Sequence, residues 1–386
     1  MDLYYRISDK KSFFVRKINE SSGQNIFLSL DTKLDEIQDF LKITGLQEED
    51  FISVPYRNLK KVLGLTHEEF LRSVPEQELQ SSLDKAAETL QNALGDKENE
   101  LYLVTYMCIK KFLRSLSRPS VSIKELHNIK NSIDHNSTAK RVMSLLPDST
   151  GKAPRVVYDM TATSTGRLTV IEGPNILTLP ASVRKALKST FPKGKILQID
   201  LTAAEPRIAL FCNNIKSPPD IYSYIADTIL QKKVTRTEAK LITLCALYGQ
   251  SPKKLSEALP SSINPREVIR KTKNFFGSEE LTSDLKRRNT SGKLRNILGR
   301  PLNVSHDRND LLISHFLQSS AAEVSILMFS DFCKSFYRDV VPLYVVHDAL
   351  IFDCTEKLAS RLLSKESFTL SLGEWKFETK VTEVNN

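Results

Sequence analysis

Two aspartates follow apolar stretches that are typical of buried strands. Asp200 ends the run KILQID, and Asp348 lies between LYVVH and ALIF, where two strands would meet in a turn. Aspartates on neighbouring strands can share two divalent cations about 3.5–4 Å apart, which stabilise the attacking and leaving oxygens of a phosphoryl transfer. Each aspartate alone is more typical of a turn or a helix cap. The pair therefore gains meaning only from the residues that accompany it.

A helical segment further along the chain places four residues on one face at a spacing of four: Arg236, Lys240, Leu244 and Tyr248. Lys240 and Tyr248 would be about 12 Å apart along the helix, close to the length of a nucleotide. We expect Arg236 and Lys240 to hold the β- and γ-phosphates, and Tyr248 to stack near a base pair with Gly249 leaving room beside it. Lys240 is also placed to protonate a departing pyrophosphate. The alternative is an ordinary amphipathic helix with solvated cations.

The composition narrows the class of protein. With 386 residues the chain is long enough for two or three domains, and its net charge of +9 permits an anionic partner without requiring one. The five cysteines have no CxxC spacing, so neither a zinc site nor a redox pair is indicated. No apolar run approaches the roughly 20 residues that span a bilayer. We predict a soluble cytoplasmic protein of a bacterium or a virus-infected cell, without a membrane partner.

The pattern of apolar residues changes near residue 150. Before this point we predict a strand at 25–30 and helices that begin near Leu34 and cover much of 76–117. After it, strands and helices alternate. The predicted strands are 155–158, 195–200, 343–347, 349–352 and 377–384, and the predicted helices are 220–230, 237–247 and 310–337.

Several short segments together resemble those of one known family. In chain order they are TATSTGRL at 161–168, GPN at 173–175, DLTAAEPR at 200–207, the helix from Arg236 to Gly249, LGR at 298–300, QSSAAE at 318–323 and VVHDAL at 345–350. Their order and gaps are similar to those of the DNA polymerase I family, the A family. The resemblance covers about residues 150–385.

This resemblance implies an α+β right-hand polymerase with an antiparallel palm sheet, helical fingers and a mainly helical thumb. The implied divisions are an N-terminal region of unknown role at 1–75, a thumb-like region at 76–150, palm at 151–215 and 306–386, and fingers at 216–305. The pairs near Asp31 and Asp96 do not form a convincing D-x-E strand motif. We therefore expect a reduced form without 3′–5′ exonuclease or 5′-nuclease activity.

The resemblance also implies roles for individual residues. Asp200 and Asp348, helped by the backbone carbonyl of Leu201, would bind two Mg²⁺ ions, for which Mn²⁺ can substitute. Glu205 would be a steric gate against ribonucleotides, with the Tyr248 hydroxyl as its partner. Further nucleotide-binding residues would be Lys188, Tyr222 and Leu244. The implied DNA-binding residues are Arg167, Asn175, Arg207, Arg300, Gln318 and His347.

The sequence departs from the family pattern at several of these places. Ala349 replaces the glutamate that normally follows the second aspartate, which predicts weaker metal handling. Tyr222 stands where the family has a phosphate-contacting histidine, and Lys188 where it has an arginine. Leu244 replaces an aromatic residue, and Ser314 replaces an asparagine.

Two other interpretations remain at this point. A single-subunit RNA polymerase shares the palm and the Arg–Lys–Tyr–Gly helix, although it lacks a gate glutamate such as Glu205. A catalytically weak DNA-binding subunit would fit Ala349, although both aspartates are retained. The partners expected for a DNA polymerase are primer-template DNA, deoxynucleoside triphosphates and a separate exonuclease or processivity subunit.

Overall fold

The computed structural model describes residues 16–18, 26–28, 33–45, 62–63, 73–248, 252–305, 311–365 and 368–384. These residues divide into two compact units. The first contains the described residues up to Lys110 together with Gly299–Pro301, and the second contains Lys111–Leu298 and the residues from Leu302 onward. The division into thumb, palm and fingers remains a prediction.

The first unit packs helices around a cluster of aromatic rings. Its elements are β1 (Arg16–Ile18), β2 (Ile26–Leu28), α1 (Lys33–Thr44), α2 (Glu76–Ala93) and most of α3 (Lys97–Ser115). Phe40 of α1 and Tyr102 and Tyr106 of α3 are fully buried, with ring centroids 5.8–6.3 Å apart. Burying aromatic rings supplies a large apolar area. The predicted strand near 25–30 and the helix from Leu34 are confirmed.

The second unit contains both helices and strands, as predicted. Its helices are α4 (Ile123–Asn131), α5 (Asn136–Met143), α6 (Ala204–Cys212), α7 (Ile221–Tyr224), α8 (Arg236–Tyr248), α9 (Pro252–Ala258), α10 (Pro265–Phe276), α11 (Ser278–Thr290), α12 (Leu312–Ser335) and α13 (Glu356–Leu363). Its strands are β3 (Ser120–Val121), β4 (Val157–Asp159), β5 (Thr169–Glu172), β6 (Leu187–Lys188), β7 (Lys195–Leu201), β8 (Val340–Val346), β9 (Ala349–Cys354), β10 (Phe368–Leu372) and β11 (Trp375–Glu383). A 3₁₀ helix covers Ala181–Ala186, and a π-helical segment covers Ile225–Ile229.

Five strands form one antiparallel sheet in the order β10-β11-β7-β9-β8. This sheet pairs strands that are about 150 positions apart in the chain, as the predicted palm sheet requires. All six residues of β9 are buried. Because successive side chains of a strand point to opposite faces, both faces of the sheet are covered at β9. Helix α12 contacts β8 and β10, and α13 contacts β7 and β11.

Helix α12 is a core helix. By length and composition it could cross a membrane, and it is the one described helix of that kind. However, 72% of its most apolar window is buried inside the protein. Its buried residues include small ones, Ser319, Ser320 and Ala321. The high hydropathy of α12 is therefore accounted for by packing against the sheet.

The predicted helix at 220–230 is present but changes its winding. Asp220 caps α7 by accepting hydrogen bonds from the backbone N–H groups of Tyr222 and Ser223. The chain then widens into the π-helical segment, where the Leu230 N–H bonds the Ile225 carbonyl at 2.8 Å. Such bulges are rare and occur frequently at functional sites.

A buried carboxylate fastens the 189–190 loop to the sheet. Asp353 of β9 is 1% exposed, and it accepts hydrogen bonds from the Ser189 hydroxyl and from the backbone N–H and hydroxyl of Thr190, the last two at 2.7 Å. Hydrogen bonds to a charged group contribute more than neutral ones, because the buried charge has no other solvation. This carboxylate therefore holds a loop that precedes β7.

We predict that Asp353→Asn lowers the free energy of unfolding by about 1–3 kcal/mol, because an amide cannot accept all three hydrogen bonds. Urea or thermal denaturation measures the loss. The control is Asp331→Asn, which removes the exposed pair between Asp331 and Lys334 of α12 and should change stability by about 0–1 kcal/mol. Equal effects of the two substitutions would contradict the role of Asp353.

Candidate active site

Strand pairing brings the two predicted aspartates together. Asp200, near the end of β7, is paired with Ala349, the first residue of β9. Asp348 directly precedes Ala349 in the two-residue turn between β8 and β9, and its carbonyl accepts a 3.1 Å hydrogen bond from the Leu201 N–H. The convergence of Asp200 and Asp348 therefore follows from the register of β7 on β9.

The backbone adopts a conformation that costs free energy next to Asp348 and at the start of α6. His347 has φ of 57° and Ala203 has φ of 54°. The left-handed region costs a residue with a Cβ on the order of 1 kcal/mol or more. His347 directly precedes Asp348, and Ala203 is the N-terminal cap of α6, which carries Glu205. Strained residues thus lie next to the acidic side chains on both segments.

The electrostatics of the pair suit a divalent cation. Burial, together with the negative charge of Asp348, raises the pKa of Asp200 to about 6. This rise is opposed by the positive charges of Lys240 and Lys380 and by a hydrogen bond from Gln198. The charge of Asp348 destabilises that of Asp200. Carboxylates are also hard oxygen ligands of the type that Mg²⁺ binds, with water or phosphate filling its other positions. The residues present therefore fit the expected metal.

The face of α8 that was predicted to bind a nucleotide is the accessible one. Arg236 and Lys240 are exposed, and Leu244 and Tyr248 are half-buried. The opposite face is packed into the protein through Ala239, Ile242, Thr243, Cys245, Ala246 and Leu247. Gly249 lies outside the described residues. The spacing of four thus places the candidate nucleotide-binding residues on a different face from the core positions of the same helix.

Tyr222 contacts both cations of α8. The Arg236 guanidinium and the Lys240 ammonium are 5.5 and 5.9 Å from the centroid of its ring. Burial raises the pKa of Tyr222 to about 12, helped by the charge of Glu205 and, less strongly, of Asp348. Arg236, Lys240, Tyr222 and Glu205 therefore act on one another in this structure.

The Arg236 guanidinium is held by a carboxylate. Its Nε donates to Asp220 Oδ2 at 2.7 Å. The pKa of Asp220 lies below its usual range because hydrogen bonds from Arg236 and Ser223, together with the charge of Arg236, outweigh the opposing effect of partial burial. The Asp220 carboxylate thus binds a guanidinium group that can equally bind a phosphate oxygen.

Glu205 has the predicted partner and one further partner. Tyr248 forms a side-chain hydrogen bond with Glu205, and burial followed by the charge of Glu205 raises the pKa of Tyr248 well above its usual range. Arg167 Nη2 lies 2.9 Å from Glu205 Oε1. The three side chains come from the 161–168 loop, α6 and α8, so this contact joins three separate segments.

A cavity of about 360 Å³ opens beside Asp348. Arg167, Gln318 and His347, three of the predicted DNA-binding residues, line it together with Glu205. The other lining residues are Leu168, Ala204, Ala321, Ala322 and Ile326. The cavity thus has polar groups at an otherwise apolar wall next to the aspartates.

Two of the predicted DNA-binding arginines are buried in this structure, and their roles in binding DNA remain predictions. Arg207 is 5% exposed, and its guanidinium donates to the carbonyls of Thr202, Pro218 and Pro219 and to the Ser217 hydroxyl. It therefore fastens the 217–219 turn. Arg300 is 3% exposed and donates to the Tyr102 hydroxyl at 3.1 Å within the first unit. Both arginines match the family motif in type, but their guanidinium groups bind the protein itself.

Asn175 and Lys188 are exposed, and neither lines the cavity. Lys188 lies in β6, opposite Ser120 of β3. The Asn175 carbonyl accepts a hydrogen bond from the Thr178 N–H at 3.1 Å. Their roles in binding nucleotide and DNA remain predictions.

Three residues near Asp200 carry no recognisable sequence signal. Gln198 shares its strand and accepts a hydrogen bond from Arg184, and Lys380 of β11 is paired directly with Asp200. Burial lowers the pKa of Arg184, and the nearby charge of Asp200 opposes this shift. No motif marks these residues, because their places depend on the register between strands and on the 3₁₀ helix that precedes them.

An antiparallel sheet with two adjacent aspartates, near a helix that presents an arginine and a lysine, is suited to a nucleotidyltransferase. The family model described as DNA polymerase family A matches residues 56–378. The chain therefore belongs to the family A DNA polymerases, which are DNA-directed DNA polymerases.

A solved structure supports the same fold. The POL domain of Pol1 from M. smegmatis, in complex with DNA primer-template and dNTP, is similar with a TM-score of 0.54 and 17% sequence identity. The match covers 89% of this chain and 80% of that one. No curated protein sequence matches the chain.

The raised pKa of Asp200 predicts how stability depends on pH without divalent cations. From its ordinary pKa of 3.8 to about 6 the folded protein binds more protons than the unfolded chain, so this residue lowers stability as pH rises through that range, and the cost persists above it. We predict that Asp200→Asn removes about 1–2 kcal/mol of this cost near neutral pH, a figure reduced for solvent screening.

Thermal unfolding in a chelator measures this effect. The melting temperature of Asp200→Asn should exceed that of the wild type above about pH 7, and the difference should vanish below about pH 4. Asp227→Asn, at an exposed position of the π-helical segment, controls for the change in net charge. A melting temperature that is unchanged or lower at neutral pH would contradict the electrostatic cost at Asp200.

Proposed function

We propose that this DNA polymerase adds deoxynucleotides to a primer 3′-OH by two-metal phosphoryl transfer. The observation that carries the proposal is the pairing of β7 with β9, which brings Asp200 and Asp348 together within electrostatic reach of Lys240. Phosphoryl transfer depends mainly on positioning and on neutralising charge at the phosphate. Two carboxylates beside a helix that presents two cations supply both.

Asp200 and Asp348, with the Leu201 carbonyl, would hold two Mg²⁺ ions or Mn²⁺ in their place. Bound cations of this kind lower the pKa of an attacking hydroxyl and neutralise a leaving phosphate. The chain's own contribution is rigidity: the Leu201–Asp348 hydrogen bond and the adjacent strand pairs fix the two acidic residues before substrate arrives. Preorganised ligands of this kind need no rearrangement during the reaction.

Helix α8 would bind the triphosphate. Arg236 would exchange the Asp220 carboxylate for phosphate oxygens, which the guanidinium can bind in a bidentate way. Lys240 lies close enough to influence the charge of Asp200, and its ammonium can donate a proton to the departing pyrophosphate. Tyr222, against both cations, would orient them in place of the family's histidine.

Glu205 would select the sugar. Its carboxylate is held by Arg167 and by the Tyr248 hydroxyl, so it cannot move aside freely. A fixed side chain beside the sugar excludes a 2′-hydroxyl by steric conflict. Displacing the side chain to make room would break its own hydrogen bonds, which adds to the cost. This arrangement favours a DNA polymerase over a single-subunit RNA polymerase.

The cavity beside Asp348 would receive the primer end. Arg167, Gln318 and His347 present polar groups there, and minor-groove acceptors are nearly the same for every base pair. Such contacts test the shape of a base pair without reading its sequence. The similar Pol1 structure contains a DNA primer-template and a dNTP, which supports the same partners here.

We further propose that residues 1–386 polymerise without their own proofreading. The Asp96–Glu98 pair lies at the start of α3, where Asp96 Oδ1 accepts the Glu98 N–H at 2.9 Å, as in a helix cap. A separate exonuclease or processivity subunit would complement such an enzyme.

We predict that Asp200→Ala and Asp348→Ala each reduce primer extension by at least about a thousandfold, because each removes a ligand of the reacting metals. Gel-based extension of a labelled primer with dNTPs and Mg²⁺ measures the loss, and electrophoretic mobility shift checks that DNA binding is retained. Asp227→Ala is the matched control. Near-wild-type extension by either active-site variant would overturn the metal assignment.

The wild-type protein in the same assay separates the rival functions. Extension with rNTPs but not with dNTPs would favour an RNA polymerase. DNA binding without extension of either kind would favour a catalytically weak subunit. A primer whose last nucleotide is mismatched tests proofreading. Removal of that nucleotide without added dNTPs would contradict the proposed lack of an exonuclease.

We predict that Glu205→Ala increases rNTP incorporation relative to dNTP by about tenfold or more, since removing a steric conflict shifts selectivity by more than about 1.4 kcal/mol. Tyr248→Phe should give a smaller increase, because Glu205 keeps Arg167 but loses one hydrogen bond. Single-nucleotide incorporation gives kcat/KM for each sugar. Glu279→Ala, at an exposed position of α11, should leave selectivity unchanged, and unchanged selectivity in Glu205→Ala would exclude the gate.

A further inference from the structure

Asp200 has a different kind of neighbour on each side of its strand. It is paired with Ala349 of β9 on one side and with Lys380 of β11 on the other. Directly opposite residues of antiparallel strands project from the same face, with Cβ atoms about 4.5–5.5 Å apart. A methyl group and an ammonium-bearing chain therefore flank the Asp200 carboxylate on one face of the sheet.

Lys380 acts electrostatically on Asp200. Burial and the charge of Asp348 raise the pKa of Asp200, and the charge of Lys380, whose side chain is exposed, opposes this rise together with the stronger effect of Lys240. Ala349 is 3% exposed and brings no charge. The site thus lacks a third carboxylate on one side and carries a cation on the other.

Other charged groups lie near this part of the sheet. Glu378, two residues before Lys380 on the same strand, accepts from the Thr369 hydroxyl at 3.2 Å and acts on the charge of Arg207. Arg184 and Lys240 add positive charge near Asp200. The two carboxylates therefore face several cations, which oppose the binding of a further positive ion.

We propose that Lys380 is an additional positioning residue of the active site, which keeps the affinity of the Asp200–Asp348 pair for free divalent cations low. Cations then bind tightly only together with the triphosphate, whose own charge exceeds that of the nearby ammonium groups. This inference rests on the proposed metal site.

The size of the effect follows from Coulomb's law. A unit charge about 7 Å from a divalent ion in a water-rich site changes the dissociation constant by roughly threefold to tenfold. Reversal of the charge at the same position doubles the change on the logarithmic scale. A graded response to the charge at position 380 is therefore the signature of the proposal.

Binding of Mn²⁺ to the protein without DNA or nucleotide tests this, with free Mn²⁺ measured by electron paramagnetic resonance. Lys380→Gln should lower the dissociation constant roughly threefold to tenfold, and Lys380→Glu should lower it further. The matched controls are Lys376→Gln and Lys376→Glu. Lys376 lies on the same strand and face but opposite Ser371 of β10, about 13 Å along the strand from Lys380, so its variants should bind Mn²⁺ like the wild type.

Asp200→Asn distinguishes the failure of this inference from the failure of the proposed function. If Asp200→Asn leaves Mn²⁺ binding intact, the proposed metal site itself is wrong. If Asp200→Asn weakens binding but both Lys380 variants bind like the wild type, only the role of Lys380 is overturned. An equal gain in the Lys376 variants would also overturn it, because the effect would then be one of overall charge.

Primer extension provides a second readout. The Mg²⁺ concentration for half-maximal rate should fall in Lys380→Gln, while KM for the dNTP at saturating Mg²⁺ stays within about twofold of the wild type. A raised KM for the dNTP with an unchanged Mg²⁺ requirement would mean that Lys380 binds phosphate, and would overturn the proposal.

Discussion

The repulsion between the Asp200 and Asp348 carboxylates is the interaction around which the site is organised. Left to themselves, two acidic side chains would separate or bind protons, and the pKa of Asp200 is already raised to about 6. They stay together because β7 and β9 are paired over six residues and the Leu201 N–H bonds the Asp348 carbonyl. Backbone pairing over a buried strand thus maintains an arrangement that the side chains oppose.

The same constraint explains why the surrounding groups are mostly cationic or fixed by hydrogen bonds. Lys240 and Lys380 moderate the negative charge from opposite directions, one from a helix and one from a neighbouring strand. Glu205, a third acidic group nearby, is neutralised by Arg167. Asp200 and Glu205 thus each have a cationic neighbour before any substrate is bound. In the proposed polymerase, substrate and metal together replace these internal partners.

Local sequence patterns predicted the parts of the fold that depend on local physics. Apolar runs predicted β7, β8 and β9 and the long helix α12, and the spacing of four predicted the accessible face of α8. Local patterns did not predict contacts that depend on how distant segments pack. Arg207 was assigned to DNA because a motif specifies residue type, whereas the direction of its guanidinium depends on the 217–219 turn. Lys380 was missed because the register of β11 on β7 has no local signal.

The contact between Arg236 and Asp220 ties the start of α8 to α7. Asp220 caps α7 while it also holds the guanidinium of α8, so one carboxylate links the two helices. A triphosphate that takes over this guanidinium would free α8 from α7 in the same step that secures the substrate. A nucleoside without phosphates could stack on Tyr248 and still leave the contact between Arg236 and Asp220 intact. Recognition of the phosphate tail would then release the helix, and recognition of the base would follow.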